Sequence, residues 1–278
     1  MRLPIRVRQA PALLWQLLRR SLVLLRPLRR QPTFRICYFS CESYFRYLYC
    51  SVHSLKRQAG DMRYEVLVFN DNDMPITAAQ IDALQALLPG LRVIPWPKSM
   101  GWGATQIACI WHAYAVAAKG AAASDVVVRV DSDVFFFNNR IFKAVERSDA
   151  DVVGDGHFVD FAYCQGGCYF FRVAAVQRVL GYLASCSLAD DLAQAGITVE
   201  DIAADYFARR LGLRIWKTWF MMFPDELRNS RGLSPWPRLK FSCLHFVMKN
   251  KAAMIDAYLA EELAPAEHAR FLALLKTA

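Results

Sequence analysis

The sequence predicts an α/β fold: a mainly parallel, Rossmann-like sheet flanked by helices and preceded by a basic helix. Two patterns predict it. From residue 34 onward, short runs of β-branched and aromatic residues alternate with segments of helical length and periodicity, as in repeated βαβ units. The most apolar run, Val126-Val127-Val128-Arg129-Val130, reads as a central strand covered on both faces. With 278 residues, 55% of them hydrophobic, the chain can fill a substantial core.

Residues 1–33 form a basic segment with eight arginines and no acid. Within it, residues 11–25 are apolar but interrupted by Arg19-Arg20, too short and too charged to span a bilayer. We read them as an amphipathic helix on an anionic membrane surface. The alternatives are a helix packed on the domain and an organellar transit peptide. The body covers 34–250, and a helical extension covers 251–278. Residues 34–40 are the first strand, about 43–58 a helix, and 64–69 a second strand ending in Asn70-Asp71-Asn72-Asp73. A helix over about 76–88 and the Pro89-Gly90 turn lead to a third strand, 91–95. A glycine-containing turn, 99–103, precedes an alanine-rich helix over 104–119, and the valine strand follows. Beyond it the pattern predicts a helix near 140–147, strands at 151–155 and 168–172, and helices over 173–184 and 197–211, the last stopped by Gly212. Trp216, Trp219 and Trp236 fall in an irregular, aromatic, proline-containing region. Residues 240–247 form a last strand, and Pro265 splits a helical pair over 251–276.

The formal net charge of +9 resembles a nucleic-acid signature until it is located. The first 33 residues supply +8 and the remaining 245 only +1. The body therefore lacks the broad basic face that tracks a phosphate backbone, which argues against nucleic acid as a partner. Eight cysteines are scattered among apolar neighbours without zinc-site spacing, as expected of free thiols in a reducing cytosol. The expected location is cytoplasmic, on the inner face of the membrane.

The valine strand ends in Asp131-Ser132-Asp133, and the chain turns apolar again over 134–137. Ionised carboxylates between apolar blocks are costly to bury unless a cation or hydrogen bonds hold them. At the C-terminal end of a parallel strand they would face the ligand crevice of an open sheet. Hard oxygen ligands suit Mg²⁺ or Mn²⁺, which bind through one or two carboxylates plus substrate phosphates. The alternative is a polar turn between strands. Three further features join this pair. Gly166-Gly167, between two strands, lets backbone approach a ligand closely. Glu200-Asp201 opens a helix, where acids also serve simply to stabilise the N-terminus. His245 lies in an apolar run, as a core residue or as a ligand, with Lys249 just beyond.

In this order the four features resemble the GT-A class of nucleotide-sugar-dependent glycosyltransferases, over roughly residues 34–250. Residues 199–213 are also similar to a helix of β-1,3-galactosyltransferase-like or family-2-like relatives. They depart at Ala204-Asp205, where such relatives often place glycine, so sugar and subfamily stay open. The resemblance implies Mn²⁺ or Mg²⁺ held by Asp131, Asp133 and His245, with Asp201 as general base and Glu200 at the acceptor beside the Gly166-Gly167 loop. It implies a nucleotide-sugar donor, a UDP-hexose, near Ser40, Glu42, Asn70, Asp71, Gly101, Gln106, Ser132 and Lys249. The acceptor would be a glycan or glycolipid hydroxyl, and the anomeric centre would invert. A haloacid-dehalogenase-like phosphatase also places Asp131-Ser132-Asp133 after an apolar strand, with Asp155 and Asp160 downstream. Too few residues separate those motifs, and too many elements precede the strand. A non-catalytic membrane scaffold of the same fold would lack a ligand or the base, yet all four positions are filled.

Overall fold

In a computed structural model, which describes residues 5–28, 31–96, 103–222, 241–245, 251, 259 and 262–276, helix α1 (Ile5–Leu24) precedes a strand–helix alternation. β1 (Phe34–Ser40), α2 (Phe45–Gln58), β2 (Tyr64–Asn70), α3 (Ala78–Leu87), β3 (Arg92–Pro95), α4 (Ala104–Ala118) and β4 (Val126–Asp131) fall close to their expected bounds. The cap of α3 shows why. Thr77 accepts a hydrogen bond from the Gln80 amide, and the Gln80 side chain accepts from the Thr77 amide. There follow β5 (Val134–Phe136), α5 (Arg140–Arg147), β6 (Val152–Asp155), β7 (Cys168–Arg172), α6 (Val173–Leu183), α7 (Leu188–Ala195), α8 (Glu200–Arg210), β8 (Ile215–Thr218), β9 (Met221–Met222), β10 (Cys243–His245) and α9 (Pro265–Lys276).

Seven strands form the central sheet in the order β3-β2-β1-β4-β7-β6-β8. Its β3-β2-β1-β4 half is parallel, and β6 pairs with β8 in parallel. β7 alone among them runs antiparallel to its neighbours. The connection from β6 to β7 holds one 3-10 turn and no crossover helix, which parallel pairing would need. Alternation along β4 divides the core. Val126, Val128 and Val130 face the cluster shared with α1, α2 and α5, while Val127 faces the cluster under α4, α6 and α8. Arg129 and Asp131 share the parity of Val127, and that places them towards α8.

Three parts differ from expectation. The polar interval after α6 contains α7, capped by Ser187 and closed by Gly196 at φ 67°. The tryptophan region read as irregular supplies β8 and β9, and β9 joins β10 and β5 in a second sheet of order β5-β10-β9. The last strand is shorter than 240–247, at Cys243–His245 among the described residues, and Pro265 opens α9. Trp236 and much of the stretch before Pro265 lie outside the described residues.

For α1 the structure shows the packed helix among its readings. It packs on α5 and β8, and Arg19 and Arg20 reach partners on the domain. Buried Arg20 donates to the Trp219 carbonyl at 2.7 Å, and the Arg19 guanidinium lies 5.3 Å from the centre of the Trp216 ring. Trp216 Nε1 donates to Gln16 Oε1 at 3.1 Å. Leu14, Trp15, Leu18 and Leu22 remain exposed. Among the described residues, no helix is long and apolar enough to cross a membrane.

Candidate active site

β4 carries Asp131 to its C-terminal end, and the small sheet brings His245 to meet it. β5 begins immediately after Asp133 and pairs antiparallel with β10, with Val134 opposite His245. His245 Nε2 lies 3.5 Å from Asp131 Oδ2 and 3.3 Å from Asp133 Oδ1. One ligand atom from each of the three residues lies within 4.8 Å of the others. Two carboxylates and an imidazole converging in this way fit a hard or borderline divalent cation. Burial pushes Asp131 up to about 6, against the opposing pull of Arg129 and His245. Burial raises Asp133 as well, but hydrogen bonds from His245 and Lys251 outweigh it and hold that carboxyl below its usual range.

The glycine pair also has a reason within the protein itself. A Cβ on Gly167 would sit 2.3 Å from His245 Nδ1, and one on Gly166 would sit 2.8 Å from Glu200 Oε1 and 3.3 Å from Asp201 Oδ2. Both glycines make room for the side chains of the site itself. The Asp131 amide donates to Gly167 O at 2.9 Å, and Gly166 N donates to Asp201 Oδ2 at 3.0 Å. This short backbone link joins the carboxylate triad to the N-terminus of α8. There, burial and then the neighbouring Glu200 push Asp201 up to about 6, with Arg129 opposing.

Two residues that the sequence reading did not single out organise this junction. Arg129 is buried beneath it, pairing with Asp131 at 2.9 Å and with Glu200, and donating to Gly166 O at 2.7 Å. Glu200 is therefore engaged by a guanidinium. Lys251 donates to Asp133 Oδ2 at 2.6 Å, with its ammonium 4.8 Å and 5.0 Å from the ring centres of Tyr44 and Tyr47. The only sequence signal for Arg129 was a charge inside a valine strand, which calls for partners. Lys251 carried no signal that set it apart from Lys249.

The expected donor residues divide. Ser40 and Asn70 end β1 and β2 side by side in register, and Ser132 Oγ donates to Phe39 O at 3.2 Å. Ser40 Oγ and Gln106 Oε1 are buried without a hydrogen-bond partner among the described residues. Asn70 Oδ1 accepts from Ile76 N at 2.8 Å and Asp71 Oδ1 from Asp73 N at 2.8 Å, so these two oxygens shape the loop after β2. Gly101 and Lys249 lie outside the described residues. Asp155, the downstream acid of the phosphatase reading, is fully buried. It accepts from the Phe220 and Met221 amides and pairs with His157 Nδ1 at 2.6 Å.

Residues 36–162 match the family model described as glycosyl transferase family 2. Solved structures with a similar fold include the galactosyltransferase LgtC in complex with donor and acceptor sugar analogues. It is 14% identical, with a TM-score of 0.51 over 87% of this chain and 95% of that one. The apo structure of the bifunctional glycosyltransferase WbbM is 12% identical, with a TM-score of 0.54 over 91% of this chain and 52% of WbbM. No curated protein matches the sequence significantly. The likeness in structure shows the GT-A fold.

Proposed function

From the premise of a GT-A-fold glycosyltransferase, on which the family-2 match and the fold agree, we propose transfer of a hexose from a nucleotide-sugar donor, a UDP-sugar, to a hydroxyl of a glycan or glycolipid. The observation that carries this reading is the meeting of Asp131, Asp133 and His245 with Asp201 across the Gly166-Gly167 link. Asp131, Asp133 and His245 are the residues that would hold Mn²⁺ or Mg²⁺. When bound, that ion would neutralise the donor diphosphate and improve it as a leaving group.

The chain's own residues then have separate tasks. The nucleoside lies along the ends of β1 and β2, where the buried Ser40 Oγ needs a partner. Asp201, ionised above about pH 6, accepts the proton of the acceptor hydroxyl. The hydroxyl oxygen bonds to the anomeric carbon as that carbon's bond to the phosphate oxygen breaks, so the nucleoside diphosphate leaves with the electron pair. One base and one direct displacement give inversion. Glu200, held by Arg129, keeps Asp201 basic enough for this role. The exposed apolar face of α1 supports an acceptor at a membrane surface, and the eight free cysteines support its cytoplasmic side.

The test separates the two halves of the site. Asp133→Ala should abolish the stabilisation that UDP gives in the presence of Mn²⁺, read by thermal shift against an EDTA control. That stabilisation is about 2.7 kcal/mol at a hundredfold excess over Kd. Asp201→Asn should keep the shift and lose transfer by about two orders of magnitude or more. Equal loss of nucleotide binding in both variants would overturn the division of roles.

A further inference from the structure

The outward face of α1 and the cavity at its flank take no part in the site described above. Leu14, Leu18 and Leu22 recur at helical spacing, with Trp15 beside them and Leu25 just past the helix end, and all are between 51% and 82% exposed. A helix packed on a domain ordinarily turns such residues inward. Here Leu13, Leu17 and Val23 already fill the inward face, with Arg20 among them, and this second apolar stripe is left outside. Arg19 lies one turn beyond Trp15, at the border of the exposed stripe. At that border opens a cavity of about 630 Å³, whose lining includes Gln16, Arg19, Phe161, Arg209 and Lys217. Its charged lining is entirely basic. Asp205, buried behind it, pairs with Arg209 and with Lys217 at 2.9 Å. The Lys217 ammonium also donates to the carbonyls of Phe161 and Ala162, so Lys217 is engaged within the domain while the Arg209 side chain stays 61% exposed.

We infer that α1 lies in the plane of a bilayer surface, its leucine stripe among the acyl chains. The cavity between Arg19 and Arg209 then holds the phosphate of an anionic lipid headgroup. This rests on the membrane-facing reading above and names the site that would carry it out. An in-plane helix sinks about 5–10 Å into the boundary between headgroups and chains, which leaves its flanks at headgroup level. A guanidinium fork at that level meets phosphate oxygens with matched geometry. Phe158, three residues before Phe161, is itself exposed and offers a second apolar contact. The same β6–β7 connection ends in Gly166-Gly167 against Asp201, so one stretch of chain joins the headgroup cavity to the proposed acceptor position.

Co-sedimentation of the full chain with vesicles of phosphatidylcholine, alone or doped with phosphatidylglycerol, tests the inference. The unmodified chain should bind the doped vesicles roughly tenfold or more tightly than the neutral ones. Arg19→Gln/Arg209→Gln should bind both alike, with an unfolding midpoint near that of the parent. Leu18→Asp/Leu22→Asp should bind neither. If the arginine variant keeps the preference, the cavity is not the headgroup site, although the membrane reading survives. If the leucine variant still binds, the stripe is not the contact. If the unmodified chain pellets with neither vesicle, the membrane reading falls as well.

Discussion

Arg129 is where the charges of the site are balanced. Its guanidinium faces Asp131 and Glu200 from below, and removing it would leave two partly buried carboxylates uncompensated, a loss below the ~3–5 kcal/mol of a fully buried pair. Glu200 permits a gentler test. After burial, Glu200 is the main influence raising Asp201, because two carboxylates so close cannot both ionise freely. Asp201 must be ionised to accept a proton, so kcat/KM should climb as pH rises through about 6. In Glu200→Gln the neighbouring negative charge is gone while an oxygen remains for Arg129. The Asp201 pKa therefore falls, and the acid limb should move to lower pH. A limb that stays in place would mean that another group sets it. Asp131 and Asp133 were legible in the sequence because they interrupt apolar runs, and Glu200 and Asp201 because they open a helix. Arg129 was not, since its partner Glu200 stands 71 residues away and only the fold brings them together.

At the scale of elements, α1 shows what composition conceals. Arginines beside leucines suggested charges in water and an apolar face elsewhere, but the order of residues does not say which face meets the domain. The structure turns Leu13, Leu17 and Val23 inward together with Arg20, which finds the Trp219 carbonyl there, and leaves Leu14, Trp15, Leu18 and Leu22 outside. A consequence follows for stability. Arg20→Met leaves the Trp219 carbonyl without that donor and should cost about 1–3 kcal/mol in urea denaturation. Leu18→Ser, on the open face, should stay within about 0.5 kcal/mol. Equal costs would mean that α1 is turned the other way. The missed elements had different causes. α7 was marked by Ser187 and Gly196 and could have been found from its caps. β5 and β9 of the second sheet, three and two residues long, are too short for any hydrophobic period to reveal them, whereas β10 falls within the strand read over 240–247.

On the scale of the molecule, the site joins parts of the chain that fold by different kinds of contact. β1 to β4 assemble from successive strand–helix units and bury their side chains in two continuous clusters, so their stability does not depend on the site. His245 instead reaches Asp133 across 112 positions, on a three-residue strand paired with β5 and β9 and packed into the core through Cys243 and Leu244. The strand's end at His245 meets two carboxylates whose mutual repulsion works against closure unless something ties them together. A cation shared by Asp131, Asp133 and His245 would be that tie, since whatever binds only the closed arrangement stabilises it. Hydrogen exchange reads this directly. Adding Mn²⁺ with UDP should slow exchange at residues 134–136 and 243–245. The centres of β1 and β2, which open only on global unfolding, should change far less. In Asp133→Ala the selective slowing should vanish. If it persists there at full size, the strand is held by nucleotide contacts alone, and His245 belongs to the core instead of to a metal centre.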